Sequence, residues 1–564
     1  MQPLDWVIIG LYFVLIAWIA WWYGRHQKDE VDYFLAGRHA GWIVIGASIF
    51  TSNIGSEHIV GLAGQASVTG LAMAHWELHA WCLIVLAGLF VPFYYKSAVK
   101  TIPEFLEKRF GPTARLILSV VSLVAYVFTK VSVTVYAGAV VFKALLPDTF
   151  GSPENAFWVG AFSTVIITGI YTVFGGMRAI LNTATPQAVI MLMGSLILTV
   201  VGLGKLGGWD ELVNTCKANA ANFTLWRPVT LKDLFNPDAL PWLGVMIASP
   251  IIGLWYWCTD QYIVQRALSA KDLATARRGA LFGGFLKLSP VLLFMIPGLI
   301  GWALYQKGLL ALPLKGDGSL DGDAVFATMV RELLPTGLRG LIVACLLAAL
   351  MSSLASLFNS TASLFTIDIY EKLRPGKSGE HLVFVGRVAT ASVVALGVVW
   401  IPVMAHVSQG GLYRYLQSVQ GYLAPSIFAV FFLGVFWARL NATGAVWGLA
   451  TGFVCGMIKL FLQIFFGKGE GKLHEPAILA AIGDFNFLFA TGILFLLSAL
   501  AMIVASYLTA PPPPEKVKGL TYGSIHEEAK EEIKKSWDIW NKLMALLILA
   551  GVLAMYLYFS FWLK

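Results

Sequence analysis

Charged residues are scarce. Asp, Glu, Lys and Arg make up 13% of the 564 residues, where a soluble domain carries about a quarter, and that shortage excludes an ordinary water-soluble protein. Cysteine is scarce as well. Cys82, Cys216, Cys258, Cys345 and Cys455 are scattered, with no CxxC or Cys/His spacing, which speaks against a disulfide framework and a thiolate metal centre. No loop pairs carboxylates or presents a metal-ligand motif, so a membrane enzyme such as a sugar transferase lacks its chemistry. No cleavable signal peptide is expected either. The apolar segment from Leu4 to Tyr23 is longer than a signal core and ends in Trp18, Trp21, Trp22 and Tyr23, not in small residues.

What abounds is apolar sequence, 58% of the chain. Runs of 18 or more apolar residues recur from end to end, each long enough to cross a bilayer. The pattern predicts an all-α membrane protein of about fourteen transmembrane helices. They lie near 4–23, 41–66, 71–96, 114–146, 156–175, 186–204, 241–266, 278–306, 335–370, 382–406, 412–438, 443–466, 486–510 and 537–562. The net charge of +8 could suggest nucleic acid, but the basic residues sit in short loops. Arg25, Lys28 and Arg38, then Lys96, Lys100, Lys108, Arg109 and Arg115, then Arg266, Lys271, Arg277 and Arg278, then Lys372, Arg374 and Lys377 fall in alternate connections. Such loops face the cytoplasm. The expected location is therefore a cell (inner) membrane, with both termini extracytoplasmic. Pro511 to Pro514 predict a stiff spacer, and the charged run 515–536 a solvated surface helix.

Two spans are interrupted by small and polar residues. The second contains Thr51-Ser52-Asn53-Ile54-Gly55-Ser56-Glu57-His58, and the seventh contains Gly253 through Gln261. Paired broken helices at matching places in two halves point to a transporter's binding site, because unwound backbone in a membrane survives only where it lines a protein cavity. A glycine or serine kink explains either segment alone; the pair favours a site. Ionisable residues inside spans default to function. Glu77 and Lys287 read as binding residues, Lys130 as half of a structural ion pair, and Asp260 and Arg266 equally as ligand contacts or as capping residues. Carboxylate, ammonium and amide groups suit hydroxyls, so Glu77, Lys287, His58 and Gln417 would hold a sugar's edge, and Tyr256, Trp257 and Trp76 its apolar face. Most other aromatics belong to the interface belts. Ala349, Ser352, Ser353 and Ser356 share one helix face. Spacing alone favours small-residue packing there over a sodium cage of hydroxyl and carbonyl oxygens.

At these residues the chain resembles the sodium/solute symporter family, specifically its sodium/glucose cotransporter branch. The resemblance runs from Ala47-Ser48-Ile49-Phe50 through Ser56 and from Thr101-Ile102-Pro103-Glu104-Phe105 through Phe110. It continues in Trp255-Tyr256-Trp257-Cys258-Thr259-Asp260-Gln261 with Val264-Gln265-Arg266, and in Met351-Ser352-Ser353 with Phe358-Asn359-Ser360 and Asp368-Ile369-Tyr370. It implies a LeuT-type inverted repeat of five plus five helices, with one helix before it and three after. Residues 1–40 would hold the first helix and a cytoplasmic loop, 41–205 the first repeat, 206–240 an extracytoplasmic loop and 241–440 the second repeat. The extra helices would fill 441–510, a cytoplasmic segment 511–536, and the last helix 537–564. The resemblance further implies sugar contacts at Asn53, His58, Glu77, Tyr256, Trp257, Lys287 and Gln417. It implies an inner gate at Tyr256, an outer gate at Leu62, Trp76 and Tyr413, and Na+ held by the Thr51, Ile54 and Ala349 carbonyls with the Ser352 and Ser353 hydroxyls, which overturns the packing preference.

Departures from the family pattern shape the rest of the expectation. Members with a second sodium site use an aspartate where this chain has Ala184, which implies one sodium per solute. Gly253, Arg414 and Gln420 differ from the animal glucose carriers, and Glu57 before His58 is similar to the myo-inositol members. The function expected is a sodium-coupled symporter of a monosaccharide working by alternating access. Its rivals are a symporter of myo-inositol or another polar solute, and a solute sensor or leak channel.

Overall fold

The computed structural model describes every residue except 26, 28, 148, 317, 408–411, 470 and 526, and of 128, 400, 403–407, 412–415 and 527–529 the backbone alone. It is almost wholly helical among the described residues. The apolar helices are α1 Pro3–Gly24, α2 Trp42–Asn53, α3 Ser56–Thr69, α4 Ala74–Lys96, α5 Pro112–Leu145 and α6 Pro153–Leu206. They continue as α7 Trp242–Cys258, α8 Gln261–Leu268, α9 Leu273–Gln306, α10 Leu338–Leu373, α11 Gly379–Val407, α12 Leu412–Phe436, α13 Ala442–Phe465, α14 Phe487–Leu508 and α15 Ile539–Phe561.

Among the described residues eleven helices are long and apolar enough to cross a bilayer, or twelve with α7 and α8 counted as one span bent by 42°. The expected fourteen is reached only by two further steps. The 54 residues of α6 would run about 80 Å as one helix, far beyond a bilayer core of about 30 Å. It turns instead at Gly176, whose φ of 53° suits glycine alone, so it supplies two spans. The other step joins α2 to α3 across a break at Ile54 and Gly55, which take extended backbone.

Burial sorts the helices into a centre and a rim. The apolar window of α10 is 94% buried, against 22% for α15 and 28% for α1, so α10 forms the heart of the bundle and the others face lipid. Close packing in lipid comes from small residues rather than from the hydrophobic effect. The broken span is gripped this way on both halves. A methyl added to Gly298 would lie 1.9 Å from the Ala63 carbonyl oxygen, and one on Gly64 would lie 2.6 Å from that of Gly322. On the other half a methyl added to Gly283 would lie 2.9 Å from the Ile49 side chain and 3.4 Å from the Gly46 carbonyl oxygen.

The segment 515–536 is not free in solvent. Its helix Glu527–Lys535 is pinned to the basic side of the bundle, where Arg277 donates to the Ile533 carbonyl at 2.7 Å and the Ser536 hydroxyl at 2.9 Å. Lys96 pairs with Glu532, Arg278 with Asp538, and Lys516 donates to the Glu107 carbonyl. Glu107 lies in the loop after α4. Burial raises its pKa, but Arg115 and Lys372 outweigh that and hold it below the usual glutamate range.

Candidate functional site

The second span unwinds where its last carbonyls meet hydroxyls instead of backbone amides. A helix end leaves its final carbonyls unsatisfied. Here the Ser352 hydroxyl donates to the Thr51 carbonyl at 2.8 Å and lies 3.0 Å from that of Ala349, and the Ser353 hydroxyl donates to the Ser52 carbonyl at 3.1 Å. Ser52 and Ser356 pair their hydroxyls at 2.8 Å. The C-terminal end of α2 carries the negative pole of its dipole. Thr51, Ala349, Ser352 and Ser353 thus form a buried cluster of neutral oxygens suited to a hard cation. Ile54 follows with φ −87° and ψ 99°, which frees its carbonyl from the helical pattern.

Two residues past Thr51 the same chain enters an internal cavity of about 50 Å³ as seen by the centre of a water-sized sphere, room for several waters. Its lining includes Asn53, His58, Trp76, Glu77, Tyr256, Trp257, Lys287 and Gln417. Lys287 donates to Glu77 at 2.6 Å and to the Asn53 amide oxygen at 2.8 Å, and Asn53 in turn donates to the Tyr256 hydroxyl at 3.3 Å. Lys287 also lies 5.6 Å from the centre of the Trp257 ring. Both charged residues are 2% exposed or less. A buried pair of this kind stands only when its hydrogen bonds are met, and Asn53 meets one. The Gln417 amide oxygen and the Trp76 indole N–H have no partner. An unmet buried polar atom costs about 1–3 kcal/mol, so the cavity holds hydrogen-bonding capacity for a polar guest.

The seventh span breaks at Thr259 and Asp260, six residues beyond the glycine that opens its polar stretch. Gly253 stays helical, and its bare face takes His79, 2.7 Å from where a methyl would sit. Asp260 caps α8 by accepting from the Tyr262 amide at 3.3 Å, pairs with Lys130 and accepts the Tyr126 hydroxyl. Lys130 sits 4.8–5.0 Å from the rings of Tyr126, Trp255, Tyr256 and Tyr262, which settles its expected role as half of an ion pair. Arg266, for which ligand contact stood level with interface anchoring or capping, is fully buried and donates to the Tyr262 carbonyl. Every residue of α8 is buried. Gln265 holds it by donating to the Phe34 carbonyl and Ser363 hydroxyl at 2.8 Å, and Gln261 accepts from the Ile102 amide at 2.7 Å. The two breaks also touch, because the Tyr262 hydroxyl donates to the Ser52 carbonyl.

Of the gate residues, Tyr256 and Trp76 line the cavity and Leu62 is buried without lining it. The Tyr413 side chain lies outside the described residues. Ala184 is buried and brings no side-chain oxygen. His79, Thr134, Ile252, Leu357 and Leu416 also line the cavity and escaped the sequence reading. His79, bonded to Ser249 at 2.8 Å, is the one with a signal, an ionisable group inside a span two residues past Glu77. The apolar residues and Thr134 look like any core position.

Comparison with known proteins agrees with this arrangement. Sodium/glucose cotransporter 4 of Danio rerio is 37% identical to the chain over 96% of its length and 84% of the relative. The sodium/myo-inositol cotransporter of Homo sapiens is 35% identical over 92% of this chain and 75% of its own. The solved structure of a Na+-coupled sialic acid symporter in a substrate-bound outward-open state matches with a TM-score of 0.75, covering 90% of this chain and 98% of that one at 21% identity, which establishes a shared fold. The all-helical LeuT-type architecture expected from the resemblance is the one observed. Residues 33–452, which carry both breaks, the cavity and the oxygen cluster, match the sodium:solute symporter family, and to that family of multi-pass membrane transporters the chain belongs.

Proposed function

We propose that this protein imports a monosaccharide of the glucose or galactose type together with sodium, one ion per solute, by alternating access. The observation that carries the reading is the hydrogen-bonded set Asn53, Glu77 and Lys287 on a cavity that adjoins the oxygen cluster of the broken α2. Sodium would bind among the Thr51, Ile54 and Ala349 carbonyls and the Ser352 and Ser353 hydroxyls. The solute would meet Asn53, His58, Glu77, Lys287 and Gln417 along its hydroxyls and Tyr256 and Trp257 on its face.

Asn53 supplies a physical link between the two. It stands between the Thr51 and Ile54 carbonyls proposed for the cation and bonds both Lys287 and Tyr256. An ion that orders 51–54 therefore orders a sugar contact, and by linkage the sugar strengthens ion binding equally. Tyr256 would close the inner side, and Leu62, Trp76 and Tyr413 the outer. The membrane potential adds about 2.3 kcal/mol per charge per 100 mV. The absence of a carboxylate at Ala184 supports one sodium per cycle. The basic loops 24–40, 96–115 and 266–278 support termini outside a cell inner membrane. A polyol such as myo-inositol is the second reading, favoured by Glu57 in the cavity wall.

Uptake into proteoliposomes tests this directly. A sodium gradient should drive accumulation of a labelled hexose, and preloaded unlabelled hexose should accelerate its entry by counterflow. Equal uptake without sodium would remove the coupling, and absent counterflow would leave a sensor or leak.

A further inference from the structure

The carboxylate of Glu57 stands in the cavity wall apart from the hydrogen-bonded set of Asn53, Glu77 and Lys287. Glu57 is the second residue of α3, lines the cavity and is 5% exposed. Its Oε2 atom has no hydrogen-bond partner. Its Oε1 lies 3.6 Å from His58 Nδ1, too far for a hydrogen bond, and that nitrogen accepts from the Gly55 amide at 3.4 Å. The carboxylate folds over the bare face of Gly55, where a methyl would stand 2.3 Å from Oε2. The glycine at the break thus makes room for this group. The other charges of the cavity are matched, Glu77 by Lys287 and Lys130 by Asp260.

A buried carboxylate without donors is costly, and in a membrane protein such a group marks a binding role. We propose that Glu57 reads the charge class of the solute. It accepts hydrogen bonds from adjacent hydroxyls of a neutral polyhydroxyl solute and bars solutes that carry a carboxylate. A guest hydroxyl donates to this carboxylate, whereas a guest carboxylate would set a second negative charge beside it in a medium of low dielectric.

This inference rests on the proposed sodium-coupled sugar uptake, and the test separates the two. Sodium-driven uptake of glucose and myo-inositol is measured in proteoliposomes, with glucuronate as competitor, for the parent, Glu57→Gln and Glu57→Asp. The parent should accept neutral solutes and exclude glucuronate at least ten-fold. Glu57→Gln should raise the KM for neutral solute about ten-fold, the worth of a charge-assisted hydrogen bond, and admit glucuronate. Glu57→Asp should weaken neutral solutes while still excluding glucuronate, and it decides the matter with the parent panel if Glu57→Gln does not fold. Unchanged ranking in the variants, or a parent that carries glucuronate, overturns the inference alone. A parent without sodium-driven uptake of any neutral solute overturns the transport reading and this inference with it.

Discussion

At the break in the second span the freed carbonyls of Thr51 and Ser52 are met by the neutral hydroxyls of Ser352 and Ser353. At the break in the seventh the exposed backbone is capped by a carboxylate, Asp260, that also holds an ammonium and a phenol. Hydroxyls rotate at little cost and can turn a lone pair toward an arriving cation. A buried ion pair cannot let go cheaply. The first break is therefore built to exchange partners and the second to keep them. The second is held further by Gln261 and Gln265, which tie α8 to the short helix Ile102–Arg109 after α4 and to α10. A carrier needs both kinds: one place where a ligand changes the backbone, and one fixed wall against which that change is felt.

The comparison is broken most severely at Asp260. Asp260→Ala leaves Lys130 buried without its counter-charge, which costs about 3–5 kcal/mol, a large part of the roughly 5–15 kcal/mol that holds a typical protein folded. The expected outcome is loss of the monodisperse peak in detergent and of sodium-driven uptake together, with partial recovery on adding Lys130→Met. An Asp260→Ala protein of normal thermal stability would mean that the second break is no lock.

The next effect falls on the solute side of the first break. Glu77→Ala unpairs Lys287 and removes a charge-assisted contact, so sugar affinity should fall by about one hundred-fold, the upper end for a hydrogen bond to a charged group. Ser353→Ala removes a neutral hydroxyl from the oxygen cluster. It should raise the sodium concentration for half-maximal uptake by about ten-fold while leaving the folded yield unchanged. Gln417→Ala should raise the sugar KM several-fold at unaltered stability, because its amide oxygen has no partner among the described residues. Normal uptake in both Glu77→Ala and Gln417→Ala would refute the pocket, and unchanged sodium dependence in Ser353→Ala would remove the cage.

The helices were legible because each must be apolar along its whole length to lie in lipid, and few other folds write that pattern. Glu77 and Lys287 were legible for the complementary reason, as isolated charges in apolar spans need a purpose. Ser352 and Ser353 were not, since small residues on one face serve packing equally well, and only the resemblance pointed to sodium. The second break falls inside the stretch from Gly253 to Gln261 that its small and polar residues mark, but composition alone did not say where in it: Gly253 stays helical beside His79, and the chain unwinds at Thr259 and Asp260, where a capping carboxylate permits it. Asp260 and Lys130 lie 130 residues apart, so their partnership follows from packing that no local pattern records. Leu357 and Leu416 line the cavity as ordinary core residues and leave no trace in the sequence.

The smallest predicted effect sharpens the comparison best. Ser356 lies one turn beyond Ser352 and pairs with the Ser52 hydroxyl at 2.8 Å. It touches the broken α2 as Ser353 does, but through a side chain and not through a freed carbonyl. If the exchangeable partners of the first break are the carbonyls of Thr51 and Ser52, Ser356→Ala should change the half-maximal sodium concentration by less than about two-fold, the low end for a neutral hydrogen bond. The sodium dependence should also stay hyperbolic, since Ala184 offers no oxygen for a second ion. A Ser356→Ala variant that matched Ser353→Ala, or that changed the steepness of the sodium curve, would show that the cation senses hydroxyls across the whole face of α10. The contrast between an exchanging break and a locked one would then lie in the helix opposite α2 and not in its unwound backbone.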